Sequence, residues 1–491
     1  MTLQIRHFIG GEWVNSVSGE TFESINPATE ELVAIAQKGS AVDVDAAVMA
    51  AKKAYPTWRL MPAPRRGEIL YEVARILLER KEDIARLMTQ EMGKVLAEAR
   101  GDVQEAIDMA YYMGGEGRRL QGYTAPVEMP NKFGMAMRDS VGVVGLVTPW
   151  NFPVAVPSWK MLPALVAGNC VVWKPSEDTP AVSAAFVQVF ADAGLPAGVL
   201  NLVTGAGEAG SALVSHPNVR VISFTGSTVT GLGVYTKAAG LGKKVTLEMG
   251  GKNAIIVMDD ANLGLAVDAI NWSAFGTTGQ RCTATSRLIV HKGIKPRLME
   301  ALVEKAKTIK VGYGIEPDVQ MGPLVNQKAL TKVSGYMDVA KSDGAKILIG
   351  GKRAEIAKGF FFMPTILDGV NAGMRVEQEE IFGPVLSVIE VGSLDEAIQV
   401  NNNTAFGLSS SIFTENVNAA FRAIRDLTTG IVYINHGTTG AEIQFPFGGT
   451  RGTGNGMREA GSSALDSFTE WKSVYVDFSG QLQRAQIDNR E

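Results

Sequence analysis

Cysteine and histidine are scarce in this sequence. Two cysteines and four histidines among 491 residues leave no disulfide framework and no metal-ligand cluster, which is what a reduced, cytoplasmic protein without a structural metal would show. Long apolar runs are missing as well, so no membrane span is expected. The amino terminus, Met1-Thr-Leu-Gln-Ile-Arg-His-Phe8, lacks the charged head and apolar stretch of a secretory signal. Positive charge is not in excess. The net charge of −4 argues against nucleic acid or an anionic membrane as the main partner, so an anionic ligand must be held by local features.

Glycine is what the chain has in quantity, 54 in all, so many tight turns are expected. The length exceeds what one core fills, and two or three domains are expected. The two cysteines differ in setting. Cys170 lies in the apolar run Cys170-Val-Val-Trp173 and reads as core, whereas Cys282 ends the turn Gly276-Thr-Thr-Gly-Gln-Arg-Cys282. A thiol on a flexible polar turn beside a cation is expected to have a lowered pKa and to serve as a nucleophile. None of His7, His216, His291 and His436 stands beside it in sequence, which disfavours a cysteine–histidine hydrolase.

Helical spacing is expected from Val44 to Tyr55, with Pro56 limiting that helix, then from Pro64 to Met92 and from Val95 to about Arg119. The charges of Glu79 to Asp83 read as a solvated face. After an extended excursion from Gly122 to Arg138, strand patterns recur at Val141–Val147, Cys170–Trp173, Val199–Val203, Val219–Phe224, Val245–Leu247 and Ala254–Val257. Helical segments such as Ala181–Ala193 and Val229–Ala239 lie between them, and the alternation predicts a parallel sheet covered by helices. Ligands on such sheets bind beyond the strands' carboxyl ends, and there the motifs fall. They are Thr148-Pro-Trp-Asn-Phe-Pro153, Lys174-Pro-Ser-Glu177, Thr225-Gly-Ser-Thr-Val-Thr-Gly231 and Glu248-Met-Gly-Gly251. A second strand–helix region extends from Leu263 to Val432.

Gly205-Ala-Gly-Glu-Ala-Gly210 matches the dinucleotide fingerprint, but Phe224-Thr225 stands where the acidic residue should follow. Gly207 and Gly210 therefore either line a cofactor's edge or only make a turn. Gly226 and Ser227 suit a helix amino end facing a pyrophosphate. Lys174 and Glu177 are either a surface ion pair or a grip on the ribose hydroxyls, in which case the carboxylate disfavours a 2′-phosphate. Asn151 has an amide suited to an oxyanion, and Glu248, before two glycines, has a carboxylate suited to activating water.

Pro149-Trp-Asn-Phe-Pro153, Lys174-Pro-Ser-Glu177, Phe224-Thr-Gly-Ser227, Leu247-Glu-Met-Gly-Gly-Lys252, Gly279-Gln-Arg-Cys282, Glu380-Ile-Phe-Gly-Pro384 and Pro446-Phe-Gly-Gly449 stand in the order found in the aldehyde dehydrogenase superfamily. The chain resembles that family nearly end to end. The resemblance implies a three-domain α/β architecture. A Rossmann-like NAD-binding domain would cover 1–117 and 141–250, a second α/β catalytic domain 251–452, and a small β oligomerisation domain 118–140 with 453–491. It also implies NAD, preferred over NADP, and oxidation of an aldehyde through a Cys282 thiohemiacetal and thioester. Asn151 and the Cys282 N–H would hold the oxyanion, and Glu248 would activate the hydrolytic water. Lys160 and Glu459 match proton-relay positions. Trp150, Lys174, Glu177, Gly226, Ser227, Glu380 and Phe382 would hold NAD, and a homodimer or homotetramer is expected. Arg281 is similar to its counterpart in antiquitin-type and α-ketoglutaric semialdehyde dehydrogenases. There it would either pair with a substrate's distal carboxylate, point away, or stabilise the thiolate. Phe152, Trp159 and Phe447 match an aromatic-walled tunnel suited to apolar aldehydes. Arg118 and Arg119 are further candidate cations.

Overall fold

Runs such as Cys170-Val-Val-Trp-Lys174 and Asn253-Ala-Ile-Ile-Val257 are buried at every residue, as strands are when helices cover both faces of a parallel sheet. A computed structural model, which describes residues 2–488, arranges them in two seven-stranded sheets. The first has the order Lys244–Glu248, Val219–Thr225, Val143–Val147, Cys170–Lys174, Leu200–Leu202, His7–Ile9 and Glu12–Val14. Its first five strands are parallel, and His7–Ile9 joins antiparallel. Strand order reverses between Val143–Val147 and Val219–Thr225, so the loops after these strands open at the switch point where such sheets bind ligands.

The second sheet has the order Lys346–Ile349, Thr365–Asp368, Val385–Val391, Thr285–His291, Asn253–Val257, Ser409–Phe413 and Ile431–Ile434. The strand at 253–257 thus belongs here and does not continue the first sheet's rhythm, because Met249–Lys252 carries the chain across. Cys282 precedes Thr285–His291, so it sits at the amino end of the second sheet while Glu248 sits at the carboxyl end of the first.

Two helix boundaries differ from the sequence pattern. Ala41–Leu60 runs through Pro56, which removes one hydrogen bond close to the helix end but does not stop it. The stretch from 64 to 92 is two helices, Ala63–Glu79 and Lys81–Met92, joined at Arg80 (φ −100°, ψ 8°) and ended by left-handed Gly93. The next helix is Leu96–Glu116. Thr469–Asp477 pairs antiparallel with Lys132–Ser140, whose other edge takes Tyr123–Ala125. Residues 453–459 take another course: Gly454 bridges Glu248, and Glu459 bridges Phe447. Among the described residues no helix is long and apolar enough to cross a membrane.

Candidate active site

The turn that carries Cys282 is rigid and strained. Thr277, Thr278 and Gly279 all lie in the left-handed region, with φ of 50°, 58° and 67°. For two β-branched residues this costs on the order of 1–3 kcal/mol each, so the surroundings must hold it. They do. The Glu98 carboxylate accepts from Thr277 N–H at 2.9 and 3.0 Å and from Thr277 Oγ1 at 3.0 Å. Thr278 Oγ1 donates to Gly322 O at 2.9 Å, and Gln280 Oε1 accepts from Val325 N–H at 3.0 Å.

Arg281 is committed to the same brace. Its Nη2 donates to Glu98 at 2.8 Å and its Nε to Thr277 Oγ1 at 2.9 Å, while the guanidinium lies 4.8 Å from the Trp272 ring centre. Arg281 is therefore not an unpaired cation beside the thiol. Burial, then the charges of Glu248 and Glu380, push Cys282 up to about 12 rather than down. The expected depression fails first because the thiol is buried, and the adjacent cation is paired with Glu98. Buried Cys170 is also pushed up to about 12, by desolvation alone.

Around Cys282 the glycine turns do steric work. A Cβ at Gly251 would stand 2.6 Å from Cys282 O, and Asn253 Nδ2 donates to that same oxygen at 2.7 Å. Asn151 is buried, and its Nδ2 donates to Gln280 O at 3.0 Å, which sets the amide against the Cys282 turn. Glu248 is buried with Oε2 unpartnered. Burial first, then the charge of Glu459, raise its pKa well above the usual carboxylate range. A Cβ at Gly448 would lie 2.6 Å from Glu248 Oε1, so the tail motif leaves room for the carboxylate. Behind it, fully buried Lys160 forms an ion pair with Glu459 and donates to Ser223 Oγ at 3.1 Å.

These residues meet at a cavity of about 350 Å³ walled by Cys282, Glu248, Glu459, Phe152, Trp159 and Phe447. Trp159 and Phe447 pack edge to face at 4.7 Å, and Lys94 Nζ lies 3.9 Å over the Phe152 ring. Arg281 lines the same cavity. Arg118 and Arg119 do not; the latter pairs with Glu116.

Sequence reasoning missed Glu98, Asp102 and Glu105, which also wall the cavity. Their spacing of i, i+4, i+7 on Leu96–Glu116 places three carboxylates on one helix face. That signal was present but reads equally well as a solvated stripe. Glu105 makes no hydrogen bond, and burial, then the nearby Asp102, pushes it up to about 8.

At the first sheet's rim, Lys174 is buried and stands 3.6 Å from half-exposed Glu177, so one cation and one carboxylate face outward together. Gly207 and Gly210 lie in the first turn of Gly207–Ser215, with open space where a Gly207 Cβ would point. Ser227 caps Thr228–Ala239, and Thr225 Oγ1 is buried without a partner. Trp150 and Phe382 meet edge to face at 5.7 Å, Phe382 having φ 59°. Glu380 accepts from Gly251 N–H at 2.9 Å. A cation beside a carboxylate, a Ser227-capped helix start and an edge-to-face aromatic pair are groups whose chemistry fits a dinucleotide.

The profile of the "Aldehyde dehydrogenase family" matches residues 13–474. An "alpha-ketoglutaric semialdehyde dehydrogenase" of Bacillus subtilis is 44% identical over 96% of this chain and 97% of its own length. An "alpha-ketoglutarate semialdehyde dehydrogenase" of Haloferax volcanii is 42% identical over 97% and 100%. Among solved structures, betaine aldehyde dehydrogenase of Staphylococcus aureus in complex with NAD+ superposes with a TM-score of 0.95 at 36% identity, covering 98% of this chain and 96% of the other. A putative aldehyde dehydrogenase of Burkholderia cenocepacia gives 0.96 at 39% identity, covering 98% and 99%.

Proposed function

The chain belongs to the aldehyde dehydrogenase family and is an aldehyde-oxidising oxidoreductase; we propose that it converts a carboxylated semialdehyde of the α-ketoglutaric type to the dicarboxylic acid. The observation that carries this reading is the meeting of Cys282, Glu248 and Arg281 at one cavity beside Asn151. Cys282 loses its proton to solvent and its thiolate Sγ attacks the aldehyde carbon, while Asn151 Nδ2 and the Cys282 N–H donate to the oxyanion that develops. NAD, when bound, supplies the two-electron acceptor that takes the thiohemiacetal to the thioester. Lys174 and Glu177 would hold its adenosine ribose, Gly207 and Gly210 would line its edge, Gly226 and Ser227 would face its pyrophosphate, Trp150 would help hold the rest of the dinucleotide, Glu380 would anchor its nicotinamide ribose and Phe382 would set the ring's position. Glu177 would repel a 2′-phosphate, which is why NAD is preferred over NADP.

Glu248, its pKa raised by burial, takes a proton from the water that hydrolyses the thioester. The Lys160–Glu459 pair behind it receives that proton. In the same cavity wall, Arg281 Nη1 has no hydrogen bond among the described residues, and Glu105, pushed up to about 8 by burial and then by Asp102, can serve as a neutral donor. These two flank the substrate's distal carboxylate. The second reading, an apolar or aromatic aldehyde, draws on the walls of Phe152, Trp159 and Phe447 and on the use of Arg281 by Glu98.

Exposed Tyr123, Phe133, Trp471 and Tyr475 on the small sheet support a homodimer or homotetramer built through an oligomerisation domain. Two free cysteines support a cytoplasmic location. An aldehyde panel read by NADH absorbance tests the assignment. The semialdehyde is expected to give the highest kcat/KM, and Arg281→Ala to reduce it selectively. An unchanged ratio against a neutral aldehyde removes Arg281 from substrate recognition.

A further inference from the structure

Two carboxylates one turn apart on a single helix reach the two halves of the reaction centre. Glu98, 4% exposed at its side chain, binds the nucleophile turn through Thr277 N–H, Thr277 Oγ1 and Arg281 Nη2. Asp102, fully buried, accepts from Ala155 N–H at 2.7 Å, at the start of the helix that follows Asn151-Phe-Pro-Val154. Asp102 also pairs at 2.7 Å with Lys94, whose Nζ covers the Phe152 ring beside Asn151. Sequence separates these partners widely: Glu98 and Thr277 are 179 residues apart, and Asp102 and Ala155 are 53 apart. The helix Leu96–Glu116 bonds to both.

We infer that the first two turns of Leu96–Glu116 act as a jig, in which Glu98 and Asp102 are positioning residues that align the Cys282 thiol with the Asn151 amide. Glu98 holds Thr277, the first of three consecutive left-handed residues. Asp102 fixes the peptide just beyond the amide donor. Because a helix turn is stiff, the spacing between the carboxylates sets the spacing between thiol and amide. Arg281 is the counter-ion of Glu98 in this arrangement, and the charge it presents to the thiol is largely cancelled. The proposal rests on the reading of Cys282 as nucleophile.

Glu98→Gln separates positioning from mere folding. It keeps an oxygen for Thr277 N–H but leaves Arg281 without a carboxylate. The groups acting on Cys282 are Glu248, Glu380 and Tyr433, together with whatever net charge Arg281 presents. Turnover should fall roughly 10–100-fold, the scale of a misplacement of about 1 Å, with NAD affinity by fluorescence quenching unchanged. The pH profile of Cys282 alkylation by iodoacetamide should move to lower pH, since uncancelled Arg281 favours the thiolate. Thr277→Val removes only the hydroxyl that Glu98 and Arg281 share, and should lower turnover roughly 3–10-fold with NAD affinity intact. Turnover within twofold of the parent in both variants, or a fall in turnover with the alkylation profile unmoved in Glu98→Gln, overturns the jig. Cys282→Ser is run alongside: if that variant keeps turnover, the nucleophile reading fails instead.

Discussion

Of the buried ion pairs at the cavity, Lys160–Glu459 and Arg281–Glu98 serve different ends. Lys160–Glu459 lies behind Glu248, where the Glu459 charge adds to burial in raising the Glu248 pKa. Arg281–Glu98 lies under the nucleophile turn, where the carboxylate takes four hydrogen bonds and the cation is absorbed by them. One pair adjusts the acidity of a neighbour; the other fixes backbone shape. Both cations carry the same formal charge. What separates them is whether the partner carboxylate also binds main chain or faces a second acid. A buried pair on its own says little about stability, so its partners must be followed outward before a role is assigned.

The comparison can be broken most forcefully at the thiol both pairs surround. Cys282→Ser should lower NADH formation roughly 10³-fold or more with NAD binding retained, and full activity would remove both pairs from any catalytic role. Glu248→Gln should permit one burst of NADH and then slow turnover by about 10²–10⁴-fold, because the thioester forms but its water lacks a base. A variant with no burst would place Glu248 in the first chemical half instead. Glu459→Gln acts more gently. It removes a negative charge that raises the Glu248 pKa and leaves Lys160 unmatched, and both changes favour ionised Glu248. The acidic limb of the pH–kcat curve should therefore shift to lower pH, with less than about a tenfold change in kcat at neutrality. A limb that stays in place would disconnect that pair from Glu248.

Farther from the cavity the effects shrink. Glu177 is half-exposed, so Glu177→Ala should improve kcat/KM for NADP only about 3–10-fold, as read by paired NAD and NADP assays. Smallest is a pH term in stability. Burial lowers the folded-state pKa of His7 below 6.5, so the folded state binds this proton less readily than the unfolded one. Its neutral Nδ1 accepts from Thr204 N–H at 3.2 Å. That contribution is intact above pH 6.5 and is lost as pH falls below it. Melting temperature should decline over that interval, and His7→Gln should flatten the decline.

Much of the arrangement was legible because its signals are local. Strand runs followed by Gly, Ser and Thr turns marked the first sheet's rim, and the order of motifs from Pro149 to Gly449 identified the family. The extended excursion and the tail strand do pair, Lys132–Ser140 with Thr469–Asp477. What stayed hidden depended on contacts across the chain. Arg281 looked like an activator of Cys282 because it is adjacent, yet Glu98 claims it. The turn looked flexible from its glycines and threonines, and its left-handed threonines are held rigid by partners remote in sequence. Asn253–Val257 follows the first sheet in sequence but pairs within the second, a long-range partnership that periodicity cannot report. Pro56 fell late enough in its helix to be tolerated.

The central claim is that Cys282 carries the acyl group which Glu248 then releases. Rapid-quench mass spectrometry of Glu248→Gln, mixed with NAD and the semialdehyde, tests it directly. The account predicts a peptide containing Cys282 that gains the mass of the substrate's acyl group, in step with the NADH burst. An NADH burst of equal size with that peptide unmodified would contradict it.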